Sequence, residues 1–201
     1  MGAEAIDKAV TLWINGIWTP LTDPVWSFVS GNRVWFPAYI LLFIFILKRF
    51  GWKNALMTLL AAGVTVTLCD QAATLVKNSV ERLRPCFDTA MLTSGLHVTE
   101  APGKGMFGFF SAHAANAFGL ATVVTVCLGS QKDKSVKGLA AILYTWAALV
   151  SVSRIMVGKH FAGDVLVGAL FGTAIALAAG TAARAVIKSI SSRNAPVRER
   201  E

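Results

Sequence analysis

Two histidines, His113 and His160, stand among cations and a carboxylate whose types suit phosphate chemistry. His160 precedes Asp164 by four residues, so on a helix the two share a face. A carboxylate on Nδ1–H fixes the imidazole tautomer and makes Nε2 the better nucleophile. His113 has no acid at comparable spacing and is left as general acid for a departing oxygen. Lys77, Arg84 and Arg154 offer charge and N–H donors to phosphoryl oxygens, the arginines bidentately. Ser111 adds a hydroxyl and is expected to open a helix, so the backbone N–H groups of Ala112 and His113 and the positive helix end face the same anion. The expected course is attack of His160 on phosphorus, a transient phosphohistidine, and hydrolysis by water that His113 activates. Positioning and electrostatics would carry most of the rate.

The elements that must position these residues are membrane helices. The chain has 201 residues, 55% hydrophobic and 15% charged, with mean hydropathy +0.59. A soluble domain carries about a quarter charged residues. Apolar runs at 34–47, 55–76, 112–129, 138–156 and 165–187 approach the ~20 residues of a bilayer span. The first reaches that length when Arg33 and the Lys48-Arg49 pair snorkel to the headgroups. Ahead of them, Ile6, Val10, Trp13 and Ile17 recur at helical spacing with Asp7, Lys8, Thr11 and Asn15 between them, an amphipathic pattern for the interface plane. Neither a cleaved signal peptide nor myristoylation is expected at this beginning. Pro20, Asp23 and Pro24 argue against a further crossing there.

With five spans, the connectors 48–54 and 130–137 and the stretch after Ile187 share one side, and residues 1–33, 77–111 and 157–164 share the other. The first side carries Lys48, Arg49, Lys53, Lys132, Lys134, Lys137 and Lys188 and reads as cytoplasmic. Helix parity then places the Lys77, Ser111, Arg154 and His160 clusters together on the outer face. The net charge of +8 is an orientation signal; scattered basic loops without a continuous stripe exclude a nucleic-acid partner.

The set Lys77-x6-Arg84-Pro85, Phe110-Ser111-Ala112-His113 and Ser153-Arg154-x5-His160-x3-Asp164 resembles the three-part signature of the type-2 phosphatidic acid phosphatase superfamily, which also includes soluble vanadium haloperoxidases. The resemblance covers roughly residues 50 to 185. It implies an all-α fold, a metal-independent phosphatase without cofactor, and lipid phosphate or diphosphate substrates. It also implies Lys77, Arg84, Ser111 and Arg154 as phosphate ligands, His113 as acid, and His160 with Asp164 as nucleophile and partner. The family usually shows Pro-Ser-Gly-His in the middle motif, where this chain has Phe110 and Ala112; at a helix N-terminus the backbone donor survives that exchange.

The fold expected is a polytopic membrane bundle of about five transmembrane helices plus an interfacial helix: an arm at 1–30, a transmembrane phosphatase domain at 31–187 and a basic cytoplasmic tail at 188–201. Polyprenyl diphosphate is the first substrate expected, with phosphatidylglycerol phosphate, phosphatidic acid and lipid A phosphate as competitors. Phosphotransfer to another lipid and a non-hydrolytic carrier are the alternatives; a carrier has no need of His113 and His160. The outward site fits a bacterial inner membrane, and the sequence leaves oligomeric state open. Residues 86–110 are expected to form a mobile cap, with Phe107, Phe109 and Phe110 lining a lipid groove. Asp70 is expected to pair with Asn116 or a Thr hydroxyl inside the membrane, and Gly168, Gly172 and Ala176 to allow close helix packing. His97 is expected to be a solvated loop residue, and no structural disulfide is expected among Cys69, Cys86 and Cys127.

Overall fold

The computed structural model describes residues 2–99, 105–129 and 134–193, and these are helical with no strand among them. Eight α-helices follow in order: α1 (Ala3–Asn15), α2 (Asp23–Ser30), α3 (Phe36–Phe50), α4 (Trp52–Val80), α5 (Thr89–Thr93), α6 (Ala112–Leu128), α7 (Lys134–Met156) and α8 (Ala162–Arg193). Each apolar run of the sequence becomes one helix of this bundle. Three of them, α4, α7 and α8, are long and apolar enough to cross a membrane alone. The first run is different: α2 and the segment ending in α3 reach spanning length only together, bent by 76°. The Asp23-Pro24 pair, read as an interruption, in fact opens α2, where Pro in the first turn leaves no helical hydrogen bond unmade. At the other end, α8 continues past Ile187 to Arg193, so helix persists beyond the expected start of the tail; residues 194–201 lie outside the described residues.

The packing is that of a bundle solvated by lipid. Along α4 the buried residues are small or hydroxyl-bearing, Ala55, Thr58, Ala61, Thr65, Cys69 and Ala73. The large apolar ones, including Leu56, Leu60, Val64, Leu68 and Leu75, point outward. In a bilayer, lipid tails satisfy large apolar side chains as well as protein does, so small residues that let backbones approach take the interfaces. Helix α6 sits at the centre against α8, α7 and α4. It is 17 residues long, and many of the residues it buries are small, Ala114, Ala115, Ala117, Gly119 and Ala121 among them, which lets its neighbours pack close around it. Gly168 and Gly172 of α8 lie against the carbonyls of Ser111 and Ala115, and Ala176 is fully buried. The small-residue stripe therefore does set the closest helix approach. Asp70 and Asn116 join α4 to α6 through a 2.9 Å hydrogen bond, as their depth suggested. All three cysteines are free and buried.

Helix α1 is amphipathic in the inverted sense. Ile6, Val10 and Trp13, the last 73% exposed, face outward, while Thr11 and Asn15 are buried against protein. The apolar face is free for lipid and the polar face makes the tertiary bonds. Asn15 donates to the carbonyls of His97, Ile155 and Met156 at 2.9–3.1 Å, and Lys8 pairs with Asp88 at 2.9 Å. His97 accordingly departs from the solvated position expected of it: it stacks on Trp18 at 3.7 Å, and its Nε2 lies 2.8 Å from Asp23 Oδ2. The described parts of the 86–110 loop are also held, through a turn at Pro85–Phe87 and the short α5. Backbone bonds join Arg84 to Met106, Gly108 to Arg82 and Cys86 to Gly158. These bonds hold the two ends of the loop; residues 100–104 of the Gly-rich run, Lys104 among them, lie outside the described residues. Phe110 is another departure. It is buried on Phe171, with ring centroids 4.9 Å apart, and so lines no groove.

Candidate functional site

Four helix ends and the loop after α4 meet at one end of the bundle. Lys77 lies in the last turn of α4, Arg154 in the last turn of α7, Ser111 caps α6, and His160 stands two residues before α8, whose first turn carries Asp164. Arg84 follows α4 and is fixed by its Nε–H donating to the Phe107 carbonyl at 3.1 Å. Lys77, Arg84 and Arg154 all act electrostatically on His160, and Arg154, His160 and Lys77 act on His113. Lys77, Arg84, Ser111, His113, Arg154, His160 and Asp164 thus gather at the same end of the bundle.

The α6 N-terminus is built by local capping. Ser111 Oγ accepts from the Ala114 N–H at 3.4 Å, and its carbonyl accepts the first intrahelical bond, from Ala115. The N–H groups of Ala112 and His113 precede any helical acceptor. Ser111 is itself tied to α8, its N–H donating to the Asp164 carbonyl at 2.9 Å. That bond fixes the position of the α6 donors relative to the dyad.

Within the dyad, His160 Nδ1 lies 3.4 Å from Asp164 Oδ2, longer than a strong hydrogen bond, a spacing that can tighten when substrate binds. Asp164 has no exposed surface and His160 only 2%. Burial holds the His160 ring well below the usual 6.5, and the positive charges of Arg154, Arg84 and Lys77 push the same way. The imidazole is therefore neutral, the state a nitrogen nucleophile needs. Asp164 is held by more than His160. Its Oδ2 accepts from the Phe161 N–H at 3.0 Å and its Oδ1 from Arg82 at 2.8 Å.

Sequence reasoning passed over several residues that complete this end. Arg82 reaches both Asp164 and, at 2.6 Å, Asp7 of α1. Asp7 Oδ1 accepts from the Gly163 N–H at 2.7 Å, and Thr11 Oγ1 from the Ala162 N–H at 2.9 Å. Ser30, at the end of α2, bonds the Arg154 guanidinium through its carbonyl and its hydroxyl. At Gly108 a Cβ would stand 3.1 Å from Arg84 Cγ and 3.2 Å from Asp164 Oδ2, so a larger residue would press on both side chains. One signal was present: Arg82 stands two residues before Arg84 with no helix-anchoring task. The polar face of α1 gave no sign of its partners, which lie 75 and more residues away.

Beside the phosphate end, a cavity of about 660 Å³ opens between α3, α4 and α6. Its wall is largely apolar, from Tyr39, Leu42, Leu59 and Val66, with Ser30, Asp70, His113 and Asn116 at its polar side.

A membrane-embedded helical bundle whose converging helix ends gather cations, a helix N-terminus and a His–Asp pair is the architecture of an integral membrane phosphatase. The chain belongs to the PAP2 superfamily, which its residues 51–188 match. Curated relatives include a lipid A 4'-phosphatase of Bacteroides thetaiotaomicron, 34% identical over 168 residues, covering 83% of this chain and 72% of that protein. The lipid A 4'-phosphatase of Porphyromonas gingivalis is 27% identical over 173 residues, covering 83% and 68%. Among solved structures, Aquifex aeolicus LpxE is similar with a TM-score of 0.61 and 26% identity, over 85% of this chain and 92% of that one. The Bacillus subtilis PAP2-type phosphatidylglycerolphosphate phosphatase shares the fold at a TM-score of 0.62 and 21% identity, over 96% and 88%.

Proposed function

We propose that this membrane phosphatase removes a phosphate from a lipid on the outer leaflet through a phosphohistidine, with lipid A phosphate as foremost substrate. The observation that carries the reading is the convergence of a buried His160, its Asp164 partner, three cations and the α6 N-terminus. In the first step His160 Nε2 attacks phosphorus, an N–P bond forms as the P–O bond to the lipid breaks, and His113 protonates the departing oxygen. In the second step His113 takes a proton from water, whose oxygen displaces His160 and releases phosphate. Lys77, Arg84, Arg154, Ser111 and the Ala112 N–H stabilise the oxygens on which charge gathers. The apolar cavity takes a lipid chain, with His113 where chain and phosphate meet.

The curated relatives are named for lipid A, which moves that lipid ahead of polyprenyl diphosphate, the first substrate expected from the sequence. The basic connectors support an orientation with the site on the exterior, periplasmic face of a bacterial inner membrane. The test is phosphate release by detergent-purified protein in EDTA from lipid A, polyprenyl diphosphate, phosphatidylglycerol phosphate and phosphatidic acid, with His160→Ala in parallel. Release by the wild type alone supports the mechanism and ranks the lipids. Near-normal release by His160→Ala removes it, and transfer of phosphate to a second lipid in place of release would favour a phosphotransferase.

A further inference from the structure

The geometry points to Arg82 and Asp7 as positioning residues for the His160–Asp164 pair, with the N-terminal helix α1 supplied as part of the catalytic end. The inference rests on His160 being the nucleophile, as proposed above.

Asp164 is a carboxylate without solvent contact, and such a group keeps its charge and direction only if its oxygens are satisfied. One oxygen takes the Phe161 N–H and the other an Arg82 nitrogen. Arg82 is held in turn from two sides: its second terminal nitrogen is 2.6 Å from Asp7 Oδ2, and its guanidinium carbon lies 4.0 Å from the centre of the Phe161 ring. A planar fork can bridge two carboxylates while lying on an aromatic face; an ammonium cannot do both. Asp7 is fixed through its other oxygen by the Gly163 N–H. Thr11, accepting from Ala162 N–H, donates its hydroxyl hydrogen to the Asp7 carbonyl at 2.7 Å. Two first-turn N–H groups of α8 thus find their acceptors on α1 instead of on the residues just before the helix. The chain from Asp7 through Arg82 to Asp164 spans three elements, and each member has a partner on its far side. Displacing Arg82 leaves Asp164 Oδ1 unsatisfied and free to rotate away from His160 Nδ1.

Two roles of Asp7 can be separated, because Asp7→Asn keeps an oxygen to cap Gly163 but loses the charge facing Arg82. If the interaction positions the dyad, Asp7→Asn retains the melting temperature of the wild type, whereas Asp7→Ala lowers it, and both lose kcat about tenfold or more with little change in KM. Arg82→Lys, which keeps the charge but not the fork, is expected to lose kcat about 10- to 100-fold. The double variant Arg82→Lys/Asp7→Asn should be no slower than the worse single one, since both break one connection. Inhibition by inorganic phosphate, which meets the phosphate ligands without a bond to His160 Nε2, should be unchanged throughout. Kinetics are measured on the panel lipid that the full-length wild type turns over fastest. Wild-type kcat in Asp7→Asn overturns the inference and leaves Asp7 a helix cap; should Arg82→Lys fail to fold, that same variant decides. Activity in His160→Ala would instead remove the nucleophile assignment, a result distinguishable from either.

Discussion

Gly168→Ala tests how tightly α6 and α8 must approach for the site to exist. The methyl added at Gly168 would overlap the Ser111 carbonyl oxygen and lie 3.4 Å from Ala114 Cβ. A carbon facing a carbonyl oxygen settles at about 3.3–3.6 Å, so α8 must retreat by about 1 Å. The obstacle is backbone and cannot rotate aside. Overpacking of this kind costs about 1–3 kcal/mol, while Ala in place of Gly within a helix returns about 1 kcal/mol. The net stability change is therefore small, and the discriminating quantity is kcat. Ser111 caps the phosphate-facing helix end and is bonded to Asp164, so the retreat separates the α6 donors from the dyad. Misplacement by about 1 Å can lower a rate about 100-fold, or about 2.7 kcal/mol in the barrier. The comparison is Gly180→Ala, about 18 Å further along α8, where the new methyl meets Val126 Cγ1 at 2.9 Å. Phosphate release and thermal unfolding in detergent are measured on both. Gly180→Ala should change stability little with kcat retained, and Gly168→Ala should lose kcat; a folded Gly168→Ala with wild-type kcat would refute the reasoning.

Arg154→Ala is expected to abolish phosphate release, because it removes a phosphate cation and leaves Ser30 without its partner; Asp164→Asn should slow release without abolishing it. Both are read as kcat on the preferred lipid, and full activity in Arg154→Ala would remove that residue from the phosphate set. The depressed His160 value makes stability pH-dependent: the unfolded ring takes a proton near 6.5, and the folded ring does so only well below it. The unfolded state then binds more protons, so stability present above pH 6.5 is lost as pH falls beneath it. Melting temperature against pH should drop less steeply on the acid side in His160→Gln, and identical slopes would contradict the sign. Asn116→Ala, which deletes the bond to Asp70 between α4 and α6, should cost about 0.6–1.7 kcal/mol of unfolding free energy in detergent. No measurable change would make that bond incidental.

What the residues alone determined is the class of chemistry and the end of the bundle at which its residues gather. Apolar runs of spanning length and alternating connectors leave few arrangements, and helix parity brings Lys77, Arg84, Ser111, Arg154 and His160 to one end because every backbone group in hydrocarbon must be satisfied within its own helix. The four-residue step from His160 to Asp164 is local geometry, and so was readable. The glycine stripe and the Asp70–Asn116 pair were readable for the same reason, each being a violation of lipid-facing composition at a known depth.

Tertiary structure decided what is not periodic. Whether the polar face of α1 meets water or protein depends on partners 75 and more residues away, and no local pattern encodes them. The same holds for Ser30 beneath Arg154, for His97 between Trp18 and Asp23, and for Gly108, whose need appears only when Arg84 and Asp164 close on either side of it. In a bilayer the apolar side chains select the spans, but they discriminate weakly among packed neighbours, since lipid serves them equally well. The buried polar contacts make that choice, and those of Asp7, Arg82 and Asp164 exist only once the three elements carrying them have met.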